Sequence, residues 1–356
     1  MHAIEQGQPI LSEELKFDKK LKLSNGSQKK DNDSKEDDKD DGFKKIIKES
    51  IQSAESLKDK LGVKEISSPN DYVFASLANR VYEERENVKR TKDLYGKKLD
   101  QALGNWQLLT VAENTDSFNG YVGAAYWNPD TQQIIIAHRD TELKDRSTIL
   151  GTLFTDVKGI FFNQHVYQIN SAITFTEMII SALKKVNQER ESDEKEKPYI
   201  QLFFTGHSLG GWLAQITTFT AKYLISDGND FFKNGNFEET GYHASAVIFD
   251  SPGGRDMLVR IRDKLMNLYG PSLIDSLDIT SYLSAPNLIN ACRPQVGEVY
   301  RIRTILSEAD KQWMQESFAG YLRLMHKRGK FKEVFDHETG EIREDEEGKL
   351  RIAPDR

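Results

Sequence analysis

The chain has 356 residues, of which 38% are hydrophobic and 29% are charged, and this is enough apolar material for a large core. The formal net charge of -7 argues against a nucleic-acid-binding protein and against simple attraction to anionic membranes, since both need a basic face. The single cysteine, Cys292, excludes an intrachain disulfide and fits a reducing compartment. Because the first residues lack a secretory signal pattern and no apolar run could span a bilayer, we expect a cytoplasmic protein.

The N-terminal region reads as a charged segment followed by one helix. Residues 1–42 include the run KKDNDSKEDDKDD, which cannot bury apolar surface, and we expect this segment to be disordered. Residues 43–66 carry apolar side chains at spacings of three and four, which predicts an amphipathic helix. We expect this helix to dock on its own domain, with transient contact to a membrane surface as the alternative use.

Residues 67–340 have the pattern of one compact domain, and residues 341–356 that of a polar tail or a short edge element. A helix capped by Asn70 or Asp71 begins the domain. Apolar strand-like stretches then alternate with helical ones, including the helical stretch 168–188. This alternation predicts an α/β fold with a mostly parallel central sheet flanked by helices.

The stretch FFTGHSLGGWLAQ indicates a nucleophilic serine. The apolar run YIQLFFT reads as a strand buried on both faces, and Gly206, Ser208 and Gly210 follow it in a GxSxG spacing. Glycines two residues before and after the serine let the chain turn sharply from strand to helix, which exposes the serine oxygen. The helix N-terminus then lies where an oxyanion forms. The residues that recur at helical spacing after the turn are Leu209, Trp212, Leu213, Ile216, Phe219, Thr220 and Tyr223.

The segment TGHSLGGWLAQ resembles the nucleophile elbow of the class 3 lipases, which belong to the α/β-hydrolase superfamily. The segment QQIIIAHRDTEL is similar to the strand of that family that ends in an Arg-Gly-Thr or Arg-Gly-Ser turn. The resemblance implies that Thr141 helps to build the oxyanion hole, together with the backbone N–H of Leu209. Asp140 replaces the glycine of the family, and we expect its carboxylate to face away from the pocket. The resemblance further implies an acyl-lipid substrate, a glycerolipid or a phospholipid.

Two residues compete for the role of the triad acid. Asp250 ends the apolar strand of ASAVIFDSPGG, and its turn resembles the Leu-Asp-Pro turn that carries the acid of pancreatic-type lipases. In class 3 lipases the acid comes one strand later, where this chain has Asn287, and an asparagine can also orient a histidine. We favour Asp250, with Asn287 as the alternative and Asp275 and Asp278 as weaker candidates.

Two histidines lie far enough beyond the elbow to serve as the base, since the chain order in this fold is serine, acid, histidine. His326 precedes a Phe-Asp-x-x-Thr-Gly turn by about ten residues, as in bacterial relatives of class 3 lipases. His337 lies inside that turn, in polar sequence, and is the alternative. His243 comes too early, and the side chain of His207 should point away from the elbow tip.

The sequence therefore predicts a serine hydrolase of the lipase or carboxylesterase type, with Ser208, Asp250 and His326 as its triad. The histidines show no metal-ligand spacing, so we expect no metal and no organic cofactor. The partner is an ester substrate, with no nucleic acid. A catalytically silent binding protein with the same fold is the alternative, because Asp140 and Asn287 depart from the family pattern. A membrane-recruited effector, tethered through the N-terminal region, is a third reading.

Overall fold

The computed structural model describes residues 21–24, 68–90, 96–114, 120–139, 160–190, 201–223, 244–266, 272–284, 286, 289–291, 293–303, 329–344 and 352–353. The helix expected over residues 43–66 lies outside these residues.

Within the described residues, nine strands form one sheet in which the strands follow chain order. Strands β4 to β8 are parallel to one another, whereas antiparallel strands flank them on both sides. The strands are β1 Leu21–Ser24, β2 Gln107–Asn114, β3 Val122–Asn128, β4 Gln133–Arg139, β5 Gln201–His207, β6 Ala244–Phe249, β7 Asp278–Leu283, β8 Glu298–Ile302 and β9 Ile352–Ala353. The expected parallel centre of the sheet is confirmed.

Helices pack on both faces of this sheet. The helices are α1 Asp71–Arg90, α2 Ile160–Arg190, α3 Leu209–Tyr223, α4 Arg255–Met266, α5 Ser272–Asp275 and α6 Gly329–Lys332, with a 3₁₀ turn at Gln101–Leu103. The side-chain oxygen of Asn70 accepts from the backbone N–H of Val73 at 3.0 Å, so Asn70, one of the two predicted caps, caps α1. Within the described residues, no helix combines the length and the apolar composition that a membrane span requires.

The hydrophobic core consists of two clusters, one on each face of the sheet. Leu202 and Phe204 of β5 pack with α2, α3 and α4 in the first cluster. Phe203 points to the opposite face and packs with α1 and α6 in the second cluster. Because successive side chains of a strand alternate between faces, β5 is buried on both sides, as its apolar sequence predicts.

Two short strands complete the edges of the sheet. Leu21–Ser24 pairs antiparallel with β2, from Leu21 opposite Asn114 to Ser24 opposite Val111. The expectation of disorder for residues 1–42 therefore does not hold for these four residues, whose backbone is paired. In the C-terminal segment 341–356, Ile352–Ala353 pairs with β8, which makes this part of the expected tail an edge element.

Candidate active site

Ser208 lies in a strained turn between β5 and α3. Its φ angle is +59°, in the left-handed region that non-glycine residues rarely adopt. Its carbonyl accepts from the N–H groups of Gly211 at 3.0 Å and Trp212 at 3.2 Å, so the helix starts directly at the serine. Strain of this kind collects at functional sites, where the surrounding structure holds it in place. The turn has the strained strand-to-helix geometry that the sequence predicts for a nucleophile elbow.

The two glycines of the motif are required because the backbone passes too close for any side chain. A Cβ atom on Gly206 would lie 2.3 Å from the carbonyl carbon of Gly210. A Cβ atom on Gly210 would lie 2.2 Å from the carbonyl oxygen of His138. The second contact also shows that the end of β4 packs against the first turn of α3.

One half of the expected oxyanion hole is described. Leu209 is the first residue of α3, where backbone N–H groups have no partner within the helix. Thr141 and Asp140 lie outside the described residues, but β4 ends at Arg139, directly before them. Since His138 contacts the position of Gly210, the chain leaves β4 beside the elbow.

Asp250 directly follows β6 and is fully buried. Its φ angle of +49° makes it, with Ser208 and Gln132, one of three non-glycine residues in the described part of the chain that have a positive φ. Its backbone N–H donates to the carbonyl of Tyr282 at 2.8 Å. The strain and the burial single out this carboxylate from an ordinary loop aspartate.

Ser208 and Asp250 occupy equivalent positions on neighbouring strands. His207 is paired with Phe249 in the parallel register of β5 and β6, so the next residue on each strand is the serine or the aspartate. The N–H of Ser208 donates to the carbonyl of Phe249 at 3.0 Å. Paired strands lie about 5 Å apart, so the structure brings these two predicted site residues together at the carboxyl edge of the sheet.

The other candidates fall into two groups. His326 and Asn287 lie outside the described residues, so their roles stay predictions. His337 is described in an exposed turn, where its ring contacts Tyr72 with centroids 6.1 Å apart and its Nε2 lies 3.6 Å from Glu338. Neither of these contacts belongs to the elbow.

The two weaker acid candidates do not join the site. Asp275 is exposed and pairs with Arg255 at 2.6 Å. Asp278 is exposed at the first residue of β7, at the amino edge of the parallel strands. Since Ser208 follows the carboxyl end of its strand, Asp278 lies at the opposite edge of the sheet from the elbow.

One residue that the sequence did not single out is Gln215 on α3. Its Nε2 donates to Ser251 Oγ and to the carbonyl of Pro252, both at 3.1 Å. Its Oε1 accepts from the N–H of Gly254 at 2.9 Å. Gln215 thereby ties the loop that follows Asp250 to the helix that follows Ser208. The sequence feature that could have identified Gln215 is its position as a polar residue on the apolar face of a predicted helix.

A series of hydrogen bonds between buried side chains joins β4 to α3 beneath the elbow. His138 Nδ1 lies 2.9 Å from the hydroxyl of Tyr121, and its Nε2 lies 2.9 Å from Thr217 Oγ1. The Thr217 hydroxyl donates to the carbonyl of Leu213 at 3.0 Å, so its oxygen accepts from Nε2–H of a neutral His138. Burial lowers the pKa of His138 to about 3, because the charged imidazole would lose its hydration.

This low pKa predicts a loss of stability in acid. Below pH 6.5 the unfolded chain protonates His138 whereas the folded protein does not, so stability falls as the pH decreases toward about 3. From pH 6.5 to 5 the loss from this group is about 1.6 kcal/mol. Denaturant unfolding at both pH values should show a smaller acid loss for His138→Gln than for the wild type. Equal losses of unfolding free energy in the two proteins would contradict the low pKa of His138.

Neither a protein-family model nor a curated protein matches the chain. Among solved structures, the chain is similar to lipase II from Rhizopus niveus, with 15% identity, a TM-score of 0.38 and coverage of 65% of this chain and 79% of that one. It is similar to Lip2 lipase from Yarrowia lipolytica, with 14% identity, a TM-score of 0.39 and coverage of 66% and 78%. It is also similar to the Rhizomucor miehei lipase propeptide complex, with 11% identity, a TM-score of 0.40 and coverage of 76% and 81%.

At such low identity and TM-score, the fold assignment rests on the features of this chain itself. The parallel strands lie in the centre of a sheet with helices on both faces. A strained serine at a strand-to-helix turn follows β5, and a buried aspartate follows β6. The chain has the α/β-hydrolase fold.

Proposed function

We propose that the protein is a serine hydrolase of the lipase or carboxylesterase type that cleaves carboxylic esters of acyl lipids. The observation that carries the proposal is that the strained Ser208 and the buried Asp250 directly follow two neighbouring parallel strands, at the same level of the sheet. A serine at such a turn presents its hydroxyl to a substrate, and a carboxylate beside it can hold a histidine in the required tautomer.

The reaction proceeds through an acyl-enzyme. His326 takes the proton of Ser208 as the hydroxyl oxygen attacks the ester carbonyl, and Asp250 stabilises the resulting imidazolium. Two groups donate to the oxyanion. One is the backbone N–H of Leu209, and the other is supplied by Thr141. The histidine returns the proton to the departing alcohol, and water then releases the fatty acid by the same steps. The mechanism needs no metal and no organic cofactor.

The substrate class follows from the elbow sequence, which resembles that of class 3 lipases. A glycerolipid or a phospholipid fits this resemblance, and no nucleic acid takes part. A helix over residues 43–66, as the sequence predicts, would give transient contact with a membrane surface that carries the substrate, and the protein would act in the cytoplasm. Hydrolysis rates on p-nitrophenyl esters of increasing chain length would define the acyl preference.

The decisive experiment is reaction of the folded protein with a fluorophosphonate probe. The activated hydroxyl of Ser208 should attack phosphorus and displace fluoride, which leaves a covalent adduct that peptide mass spectrometry locates. We expect the adduct on the peptide that contains Ser208 in native protein and no adduct after heat denaturation, because the hydroxyl reacts only when a base activates it.

Ser251 offers a matched control for this experiment. It lies near the elbow, but its hydroxyl donates to the carbonyl of Pro252 at 2.8 Å. The Ser251→Ala variant should therefore keep the label, whereas Ser208→Ala should lose it. Folded wild-type protein that takes up no label at Ser208 would instead support the silent binding protein.

A further inference from the structure

Three hydrogen-bond donors converge on one oxygen of the Asp250 carboxylate. Oδ1 accepts from the backbone N–H of Ser284 at 3.0 Å, from the Ser284 hydroxyl at 2.8 Å and from Nδ2 of Asn290 at 2.7 Å. All three residues are buried, with Asp250 and Ser284 fully so and Asn290 2% exposed. Donors of this kind favour the ionised form of a buried carboxyl group.

The sheet and a following turn bring the two donor residues to this position. Ser284 directly follows β7, which pairs with β6 in a register that sets Phe249 opposite Tyr282. Asn290 lies six residues further on, in the turn at residues 289–291. The donors on Oδ1 therefore come from the strand next to the aspartate and from the loop that leaves that strand.

Neighbouring side chains hold both donors in place. The Arg301 guanidinium on β8 donates to the carbonyl of Ser284 at 2.9 Å. Gln295 Nε2 donates to the carbonyl of Ser251 at 2.8 Å and to that of Asn290 at 3.4 Å. Because their own backbones are fixed in this way, Ser284 and Asn290 form a rigid frame around Oδ1.

We propose that Ser284 and Asn290 are positioning residues for the triad acid, which they keep ionised and hold in one orientation. Three donors on Oδ1 fix the rotation of the carboxylate about its Cβ–Cγ bond, so Oδ2 is the oxygen that accepts from the catalytic histidine. This inference rests on the proposed function, and it adds two residues to the machinery of that function.

The competing explanation is that the donors only satisfy a buried carboxylate and contribute to folding. Under that explanation, removing a donor lowers the folded fraction but leaves the chemistry of the folded molecules unchanged. Under our proposal, the folded molecules themselves turn over more slowly. The two explanations therefore differ in kcat per folded molecule and in the pH dependence of kcat/KM.

The experiment compares Asn290→Ala and Ser284→Ala with the wild type on a soluble p-nitrophenyl ester. We expect kcat per folded molecule to fall about 10- to 100-fold in Asn290→Ala with KM nearly unchanged, the range found when outer-shell partners of metal ligands are removed. The loss in Ser284→Ala should be smaller, because its backbone N–H still donates to Oδ1.

The pH profile supplies a readout that a purely structural role would not change. In either variant two donors remain on Oδ1 and keep the carboxylate ionised, but its charge is less compensated. The imidazolium is then better stabilised, and the pKa of the histidine rises. The acid limb of kcat/KM should therefore move to higher pH in both variants. An unchanged limb together with wild-type kcat in both variants would overturn the proposal.

The chain offers a matched control on the same strand. Ser281 of β7 is fully buried, and within the described part of the chain its hydroxyl has no hydrogen-bond partner. The Ser281→Ala variant should keep wild-type kcat and the wild-type acid limb. If Asn290→Ala does not fold, Ser284→Ala carries the test, because it removes a single hydroxyl.

The outcomes also separate this inference from the proposed function. If Ser208→Ala and Asp250→Asn abolish turnover while Ser284→Ala and Asn290→Ala do not affect it, only the positioning role fails. If the wild type neither hydrolyses esters nor takes up the fluorophosphonate, the proposed function itself fails.

Discussion

Replacing Ser208 with alanine is expected to lower kcat for ester hydrolysis by about 10⁶-fold, to what the oxyanion hole and binding achieve without a nucleophile. The change removes one oxygen atom and nothing else. The backbone at this position has a φ angle of +59°, which costs alanine about as much as it costs serine. The fold and the elbow should therefore persist, and substrate binding should change little.

Initial rates on a p-nitrophenyl ester, measured at high protein concentration, check this prediction. Thermal unfolding of the same samples should give transition temperatures within about 2 °C of each other, which would exclude misfolding as the cause of the loss. If Ser208→Ala kept more than about a hundredth of the wild-type rate, another group would have to be the nucleophile.

Replacing Asp250 with asparagine is expected to lower kcat by about 10⁴-fold, as is known for the acid of a Ser-His-Asp triad. The three donors on Oδ1 determine which way the new amide faces, because only its carbonyl oxygen can accept from Ser284 and Asn290. The amide NH₂ must then replace Oδ2. Since this group donates, it cannot accept from the histidine, so the histidine adopts the wrong tautomer.

Two further variants serve as references for Asp250→Asn. Asp275→Asn alters an exposed carboxylate that pairs with Arg255, and it should change kcat less than twofold. Asn287→Ala tests the alternative acid position and should cost far less than Asp250→Asn. A large loss in Asn287→Ala, combined with a mild one in Asp250→Asn, would move the orienting role to Asn287.

The elbow could be predicted from sequence because its determinants are local. Gly206, Ser208 and Gly210 lie within five residues, and the strand and the helix around them each have a clear apolar period. The proposed triad acid was harder to predict, because two successive strands of similar character are each followed by a candidate residue, Asp250 or Asn287. The burial and the positive φ of Asp250 support it over an ordinary loop residue, and neither property is visible in the sequence.

The donors that surround the Asp250 carboxylate could not be predicted from the sequence. Ser284 and Asn290 lie 34 and 40 residues from Asp250 and meet it only through the parallel pairing of β6 with β7. In the sequence they are a serine and an asparagine, each between two apolar neighbours, with no spacing that points to a carboxylate. Residues that act through tertiary contacts of this kind leave no local periodicity.

The pairing of Leu21–Ser24 with β2 has a consequence for how the N-terminal region can be studied. A shortened chain that begins at residue 67 would lose strand β1 together with the charged segment at residues 1–42. The outer backbone groups of β2 would then form an open edge that invites pairing between molecules. In a vesicle-flotation assay of such a chain, the effect of self-association could not be distinguished from the effect of lost membrane contact. Removing only residues 29–41, or exchanging apolar residues within 43–61 for polar ones, would leave that edge covered.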